Sequence, residues 1–159
     1  MLKRGDRAPE FALPDPDGRR RRLSEMLLGG SVVLYFYPAD FTPGCTREAC
    51  DFRDLHARIL ASGLQVVGIS PQSPDSHRRF RETHDLPFLL LSDEEKLTIR
   101  AYGVDGPFGM GVRRASFLID DQGRVEDAVL ADFIIARHRK FVERAIGVRE
   151  SRGASPPRG

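Results

Sequence analysis

Residues Ser31 to Tyr37 read Ser-Val-Val-Leu-Tyr-Phe-Tyr, a nearly unbroken apolar run with two valines and three aromatics. A run this short, with no polar alternation, predicts a strand buried on both faces. Pro38 ends it, because proline removes the amide hydrogen that a continuing strand would need. Pro43-Gly44 then breaks the backbone again, and from Thr46 to Leu60 apolar residues recur at Ala49, Phe52, Leu55, Ile59 and Leu60. That spacing is close to the 3.6-residue period of a helix. Cys45 therefore falls in the first turn of a predicted helix, where unpaired backbone N–H groups and the positive end of the helix dipole favour an anion. A thiol placed there carries a raised thiolate fraction, and thiolate is the nucleophilic form.

The chain has two cysteines, and the second, Cys50, lies five residues further on. On one ideal helix their Cα atoms would be roughly 8.6 Å apart and on different faces, beyond the roughly 7 Å that a disulfide spans. A bond between them requires the first turn to unwind. The pair thus predicts a reduced helical state and an oxidised open one.

The rest of the chain alternates in the same manner. Asp15-Pro16-Asp17-Gly18 is turn chemistry, and Arg19 to Leu23 returns as a short exposed strand, which makes an N-terminal hairpin. Further strands are expected at Leu64–Ile69, Phe88–Leu91, Ser116–Ile119 and Arg124–Leu130. Helices are expected from Pro74, with Ser73 as its cap, towards His84, from Ser92 or Asp93 to Tyr102, and from Ile134 to Ile146. Residues 149–159, with Pro156-Pro157 and small side chains, read as a disordered tail after a single domain spanning 1–148. Alternating strands and helices predict an α/β layer structure with helices on both faces of a central sheet.

Composition bounds the function. At 159 residues the chain has the size of one domain, and its formal charge of +2 provides no footprint for nucleic acid or a membrane surface. No apolar run approaches the roughly 20 residues of a membrane span. Without a secretory signal at the N-terminus, a reactive cytoplasmic cysteine pair is expected over a structural disulfide.

The pattern Tyr35-Phe36-Tyr37-Pro38 through Thr42-Pro43-Gly44-Cys45-Thr46 to Cys50 resembles the active-site segment of the peroxiredoxins, and its CxxxxC spacing resembles the bacterioferritin comigratory protein, or Q-type, subfamily. The likeness extends to Gly5-Asp6-Arg7-Ala8-Pro9, Val67-Gly68-Ile69-Ser70, Leu90-Leu91-Ser92-Asp93-Glu94 and Arg114-Ala115-Ser116-Phe117-Leu118-Ile119-Asp120. It implies a thioredoxin-like three-layer fold, with a central mixed sheet flanked by helices and an N-terminal β-hairpin. It also implies a hydroperoxide substrate, thioredoxin or a similar dithiol as reductant, no cofactor or metal, and a monomer or weak homodimer. By the same resemblance Cys45 is the peroxidatic nucleophile, Cys50 the resolving cysteine, Thr42 a partner of the peroxide and thiolate, and Pro38 a shield against water. The family's arginine, two residues, phenylalanine pattern selects Arg114 over adjacent Arg113; strand alternation alone leaves that choice open.

Other residues attract plainer readings. Glu48 suits the first helical turn through the dipole, and His56 lies more than two turns beyond the thiol. His77, His84 and His138 sit in polar sequence without ligand spacing. Arg19 to Arg22 reads as a solvated edge strand, where charge discourages strand pairing between molecules. The glycine-rich segment Gly103 to Arg113, shorter than in many relatives, reads equally as a flexible loop or as a substrate-facing wall built on Phe108 and Met110. Two other functions use the same cysteines: a disulfide oxidoreductase or metallochaperone, and a redox sensor or chaperone. Against the first, two intervening residues are the usual redox spacing and no histidine stands out as a copper ligand.

Overall fold

The computed structural model describes residues 1–153. Two short strands, β1 (Ala12–Pro14) and β2 (Arg20–Arg22), form an antiparallel hairpin. Asp15, almost fully buried, ties its turn together by accepting from the Asp17 and Arg19 amides and from Arg21 Nε. The main sheet contains β3 (Val32–Phe36), β4 (Gln65–Ser70), β5 (Leu89–Ser92), β6 (Ala115–Ile119) and β7 (Val125–Leu130), in the order β5-β4-β3-β6-β7. β3 runs parallel to β4 and antiparallel to β6, so the sheet is mixed.

The central strand is buried at every position, as its composition demands. Its side chains divide by parity between two cores. Val33, Tyr35 and Tyr37 face a layer built on α2 (Pro43–Asp54), α3 (His56–Ala61), α4 (Pro74–His84) and α6 (Ala136–Gly153). Val32, Leu34 and Phe36 face the hairpin, α1 (Leu23–Leu27) and α5 (Leu97–Ala101). Phe52 anchors α2 to the sheet with its ring edge-on to Tyr35, 4.8 Å between centroids. Tyr35 fits there because Gly68, its neighbour on β4, has no side chain: a Cβ would stand 2.7 Å from the Tyr35 ring.

Several elements differ from the sequence expectation. The helix expected from Thr46 to Leu60 starts earlier, with Pro43 at its first position, and is divided into α2 and α3 at Leu55. The strand expected to reach Leu23 stops at Arg22, and Leu23 opens the unforeseen α1, where Leu23 and Met26 enter the core. The helix expected from Ser92 or Asp93 to Tyr102 is shortened to Leu97–Ala101. Asp93 still serves it by accepting from the Ile99 amide at 2.7 Å. The last helix does not end near Ile146 but continues through Gly153, overlapping the segment expected to be a disordered tail. Ion pairs of Arg149 with Glu126 and of Glu150 with Arg58 hold that extension; residues 154–159 lie outside the described residues. No described helix is long and apolar enough to cross a membrane.

His77, although it sits in polar sequence, is fully buried. It lies one turn before Phe80 on the core face of α4, its Nε2 at 2.7 Å from Ser70 Oγ and 3.7 Å from Asp40. Asp40 in turn accepts from Tyr37 and Ser76 at 2.7 Å each. Burial holds His77 below the usual imidazole range, so it folds neutral while the unfolded chain takes up a proton below about pH 6.5. Stability from this site is present above that pH and is lost as pH falls. In urea titrations from pH 7 to 5, His77→Gln should reduce the pH slope of the unfolding free energy by up to about 1.4 kcal/mol per unit.

Candidate active site

The loop leaving β3 delivers Pro38 and Thr42 to the start of α2, where Cys45 is the third helical residue and is 1% exposed. Thr42 occupies the N-cap position, yet its hydroxyl does not cap: it donates to Ala39 O at 3.0 Å. The first amides of the helix are therefore left without side-chain acceptors at the end where an anion is favoured. Beside them lies an open cleft of about 920 Å³, lined by Pro38, Thr42, Gly44, Met110, Arg114 and Phe133 among others.

Arg114 reaches Cys45 from the strand side. Ala115, Phe117 and Ile119 of β6 point into the hairpin-side core and Leu118 into the helix-side core. Strand alternation therefore turns Arg114 towards α2. Its Nη2 donates to Cys45 Sγ at 3.3 Å and its Nη1 to Glu48 Oε1 at 2.9 Å. Gly44 leaves this approach uncrowded, since a Cβ there would stand 3.1 Å from Arg114 Nη2. Arg113 instead pairs with Asp132 at 2.9 Å, and the same carboxylate accepts from the Arg114 amide.

Glu48, read from sequence as favoured in the first helical turn by the dipole, is 1% exposed and contacts Arg114. The missed signal was periodicity: Glu48 follows Cys45 by three residues and precedes Phe52 by four, on the buried face of α2. Burial pushes its carboxyl up to about 7, against the opposing pull of Arg114. His138 is likewise fully buried, one turn before Phe141 and Val142 on the core face of α6, with Nδ1 at 3.5 Å from Glu48 Oε2. Its burial was legible in that spacing. Its proximity to Glu48 was not, because α2 and α6 are far apart in the chain.

Cys50 lies on the same helix, half-buried, and both cysteines are free thiols. The structure therefore corresponds to the reduced, helical form. Phe108, whose backbone adopts a positive φ of 58°, is fully exposed, while Met110 borders the cleft.

The AhpC/TSA family model matches residues 4–128. The chain belongs to the AhpC/TSA family. It is 45% identical over 127 residues to Peroxiredoxin Bcp of Bacillus subtilis, an alignment that covers 76% of this chain and 80% of that protein. The crystal structure of Peroxidoxin BcpB from Mycobacterium tuberculosis superposes with a TM-score of 0.87 at 37% identity, covering 93% of this chain and 98% of that one. The Xanthomonas campestris bacterioferritin comigratory protein, described for its alkyl peroxide reduction activity, superposes with a TM-score of 0.79 at 30% identity, covering 87% and 90%. The expected subfamily, thioredoxin-like fold and N-terminal hairpin are those found.

The buried Arg114–Glu48 contact has a direct energetic consequence, because removing one partner strands the other charge away from water. Glu48→Ala should lower the unfolding free energy of the reduced protein by about 3–5 kcal/mol in urea titrations, and Glu48→Gln, which keeps an acceptor for Nη1, by less.

Proposed function

We propose that the chain is a thiol peroxidase that reduces hydrogen peroxide and organic hydroperoxides with Cys45 and is recycled by a dithiol. The observation that carries this reading is the 3.3 Å contact between Arg114 and a buried cysteine sulfur at a helix N-terminus beside an open cleft. In the first step Cys45 thiolate attacks the terminal oxygen of the hydroperoxide. The S–O bond forms, the O–O bond breaks, and the departing alkoxide or hydroxide takes a proton from water, leaving alcohol or water and Cys45 sulfenic acid. Arg114, the Thr42 hydroxyl and the first amides of α2 hold the peroxide oxygens and stabilise the charge moving onto the leaving oxygen. Pro38 covers the sulfur against bulk water, and Glu48 positions Arg114. Met110 and Phe133 supply an apolar wall for the organic part of larger hydroperoxides.

Cys50 thiolate then attacks the sulfenic sulfur. The Cys45–Cys50 bond forms, the S–O bond breaks and hydroxide leaves, taking a proton from solvent to become water, and the first turn of α2 opens to allow it. Thioredoxin, through its own dithiol, is the reductant in this reading and becomes oxidised as the two thiols return. Residues 1–148 act as one unit, as a monomer or weak homodimer in the cytoplasm. No metal or organic cofactor enters any step.

Cys45→Ser should abolish thioredoxin-dependent peroxide consumption, and full turnover by that variant would refute the peroxidase reading. Arg114→Lys, which replaces a two-pronged donor with a point charge, should lower the second-order rate with hydrogen peroxide by about 10²-fold, whereas Arg113→Lys should change it by less than about threefold. In hydrogen exchange, amides from Cys45 to Cys50 should lose protection when the disulfide forms. Unchanged protection in the oxidised protein would contradict the opening of that turn.

A further inference from the structure

Glu48 Oε2 is buried without any hydrogen-bond partner among the described residues. An orphaned carboxylate oxygen in such a place is costly, and the cost disappears if the oxygen carries a proton and finds an acceptor. His138 Nδ1 stands 3.5 Å from it. The other nitrogen of that ring, Nε2, lies 3.0 Å from Ala131 O. A carbonyl only accepts, so Nε2 bears the ring's hydrogen and Nδ1 of the neutral imidazole is an acceptor. The Ser116 hydroxyl, 2.9 Å from Nδ1, donates to the same lone pair, so a proton on Glu48 Oε2 joins it as the second, longer arm of a three-centre bond. Closing the gap to Glu48 takes a movement of under about 1 Å.

We propose that Glu48 and His138 form a buried proton-holding pair, with the proton on Glu48 Oε2 facing His138 Nδ1, and that this pair sets the charge balance on which peroxide reduction by Cys45 depends. The inference rests on the peroxidase reading above. While the pair holds its proton, Oε1 still accepts from Arg114, so the guanidinium stays in position, and its full charge serves the Cys45 thiolate. When the proton leaves, two anions compete for one buried cation.

The surroundings favour the protonated form. Burial raises Glu48 to about 7 and Asp51, on the same helix, adds to the rise; only Arg114, from the start of β6, opposes it. Asp51 itself is partly offset by Arg139 of α6 at 3.3 Å. Burial also holds His138 down, against the Ala131 carbonyl and Asp132, with Arg114 adding to the lowering. On β3, the buried Tyr35 hydroxyl is pushed far above its usual range, first by its own burial and then by Glu48 and Cys45, and so presents no charge to the pair. His138 is a positioning residue in this scheme and does not contact the peroxide.

The sign follows. The rate with peroxide falls as Glu48 ionises near neutral pH. Stopped-flow measurement of the reaction of reduced protein with hydrogen peroxide between pH 5 and 9 should show that falling limb. Glu48→Gln, which cannot ionise, should lose it. His138→Gln, which places an amide N–H donor against Oε2 and favours the ionised form, should move it down by about one pH unit. Infrared difference spectra of the unmutated reduced protein should show a protonated-carboxyl band that titrates over the same range and is missing in Glu48→Gln. A limb that persists in Glu48→Gln, an unmoved midpoint in His138→Gln, or no such band in the unmutated protein overturns the proposal. Absence of peroxide consumption at every pH, with the band present, would instead sink the peroxidase reading alone.

Discussion

One buried guanidinium organises the reactive end of this molecule. Arg114 places one nitrogen against the Cys45 sulfur and another against the Glu48 carboxyl, both on the same helix and three residues apart. A buried cation is tolerated only when its hydrogens and its charge are answered, so the position of this side chain constrains everything near it. A Cβ on Gly44 would push the guanidinium back by a few tenths of an ångström, α2 must begin at Pro43 so that its third residue meets Nη2, and β6 must keep the register that turns Arg114 to the helix side of the sheet. The Asp132 carboxylate fixes the strand end by accepting from both the Arg114 amide and Arg113.

The sheet separates what must be rigid from what must move. On the hairpin side, β1 and β2, α1 and α5 pack Phe11, Phe36, Tyr102 and Phe117 into one core, and none of these elements carries a cysteine. On the other side α2 is pinned through Ala49 and Phe52, while its first turn ends at an open cleft. The break at Leu55 separates α2 from α3, so a change in the first turns of α2 is not carried as rigid rotation into the next helix. The loop before α2 is held from a different direction, through Asp40 to Ser76 and Tyr37. Its anchor therefore does not depend on the first turn of α2.

The residues legible in the sequence were those whose chemistry is local. Cys45 could be placed at a helix start from Pro38, Pro43-Gly44 and the apolar spacing that follows, and Thr42 and Pro38 came with the same segment. Glu48 and His138 were passed over although each shares a helical face with known core residues, because an ionisable side chain in polar sequence reads as exposed unless a partner is known. Their partners lie 66 residues away, at Arg114, and across the α2–α6 contact. His77 escaped notice for the same reason: Ser70, Ser92 and Asp40, the polar groups around its ring, come from three other segments.

By itself the sequence determined the layer architecture, the strand-to-helix turn and the cysteine pair too far apart on one helix to bond, because strand and helix periods are local properties of the chain. Only the tertiary structure decided which face of the sheet holds the Cys45 sulfur, and with it why Arg114 rather than Arg113 reaches that sulfur. It also brought Glu48 and His138 together. Those outcomes depend on which helices cover which face and on how closely they approach, and contact between distant segments is a property of the assembled layers that no single segment carries.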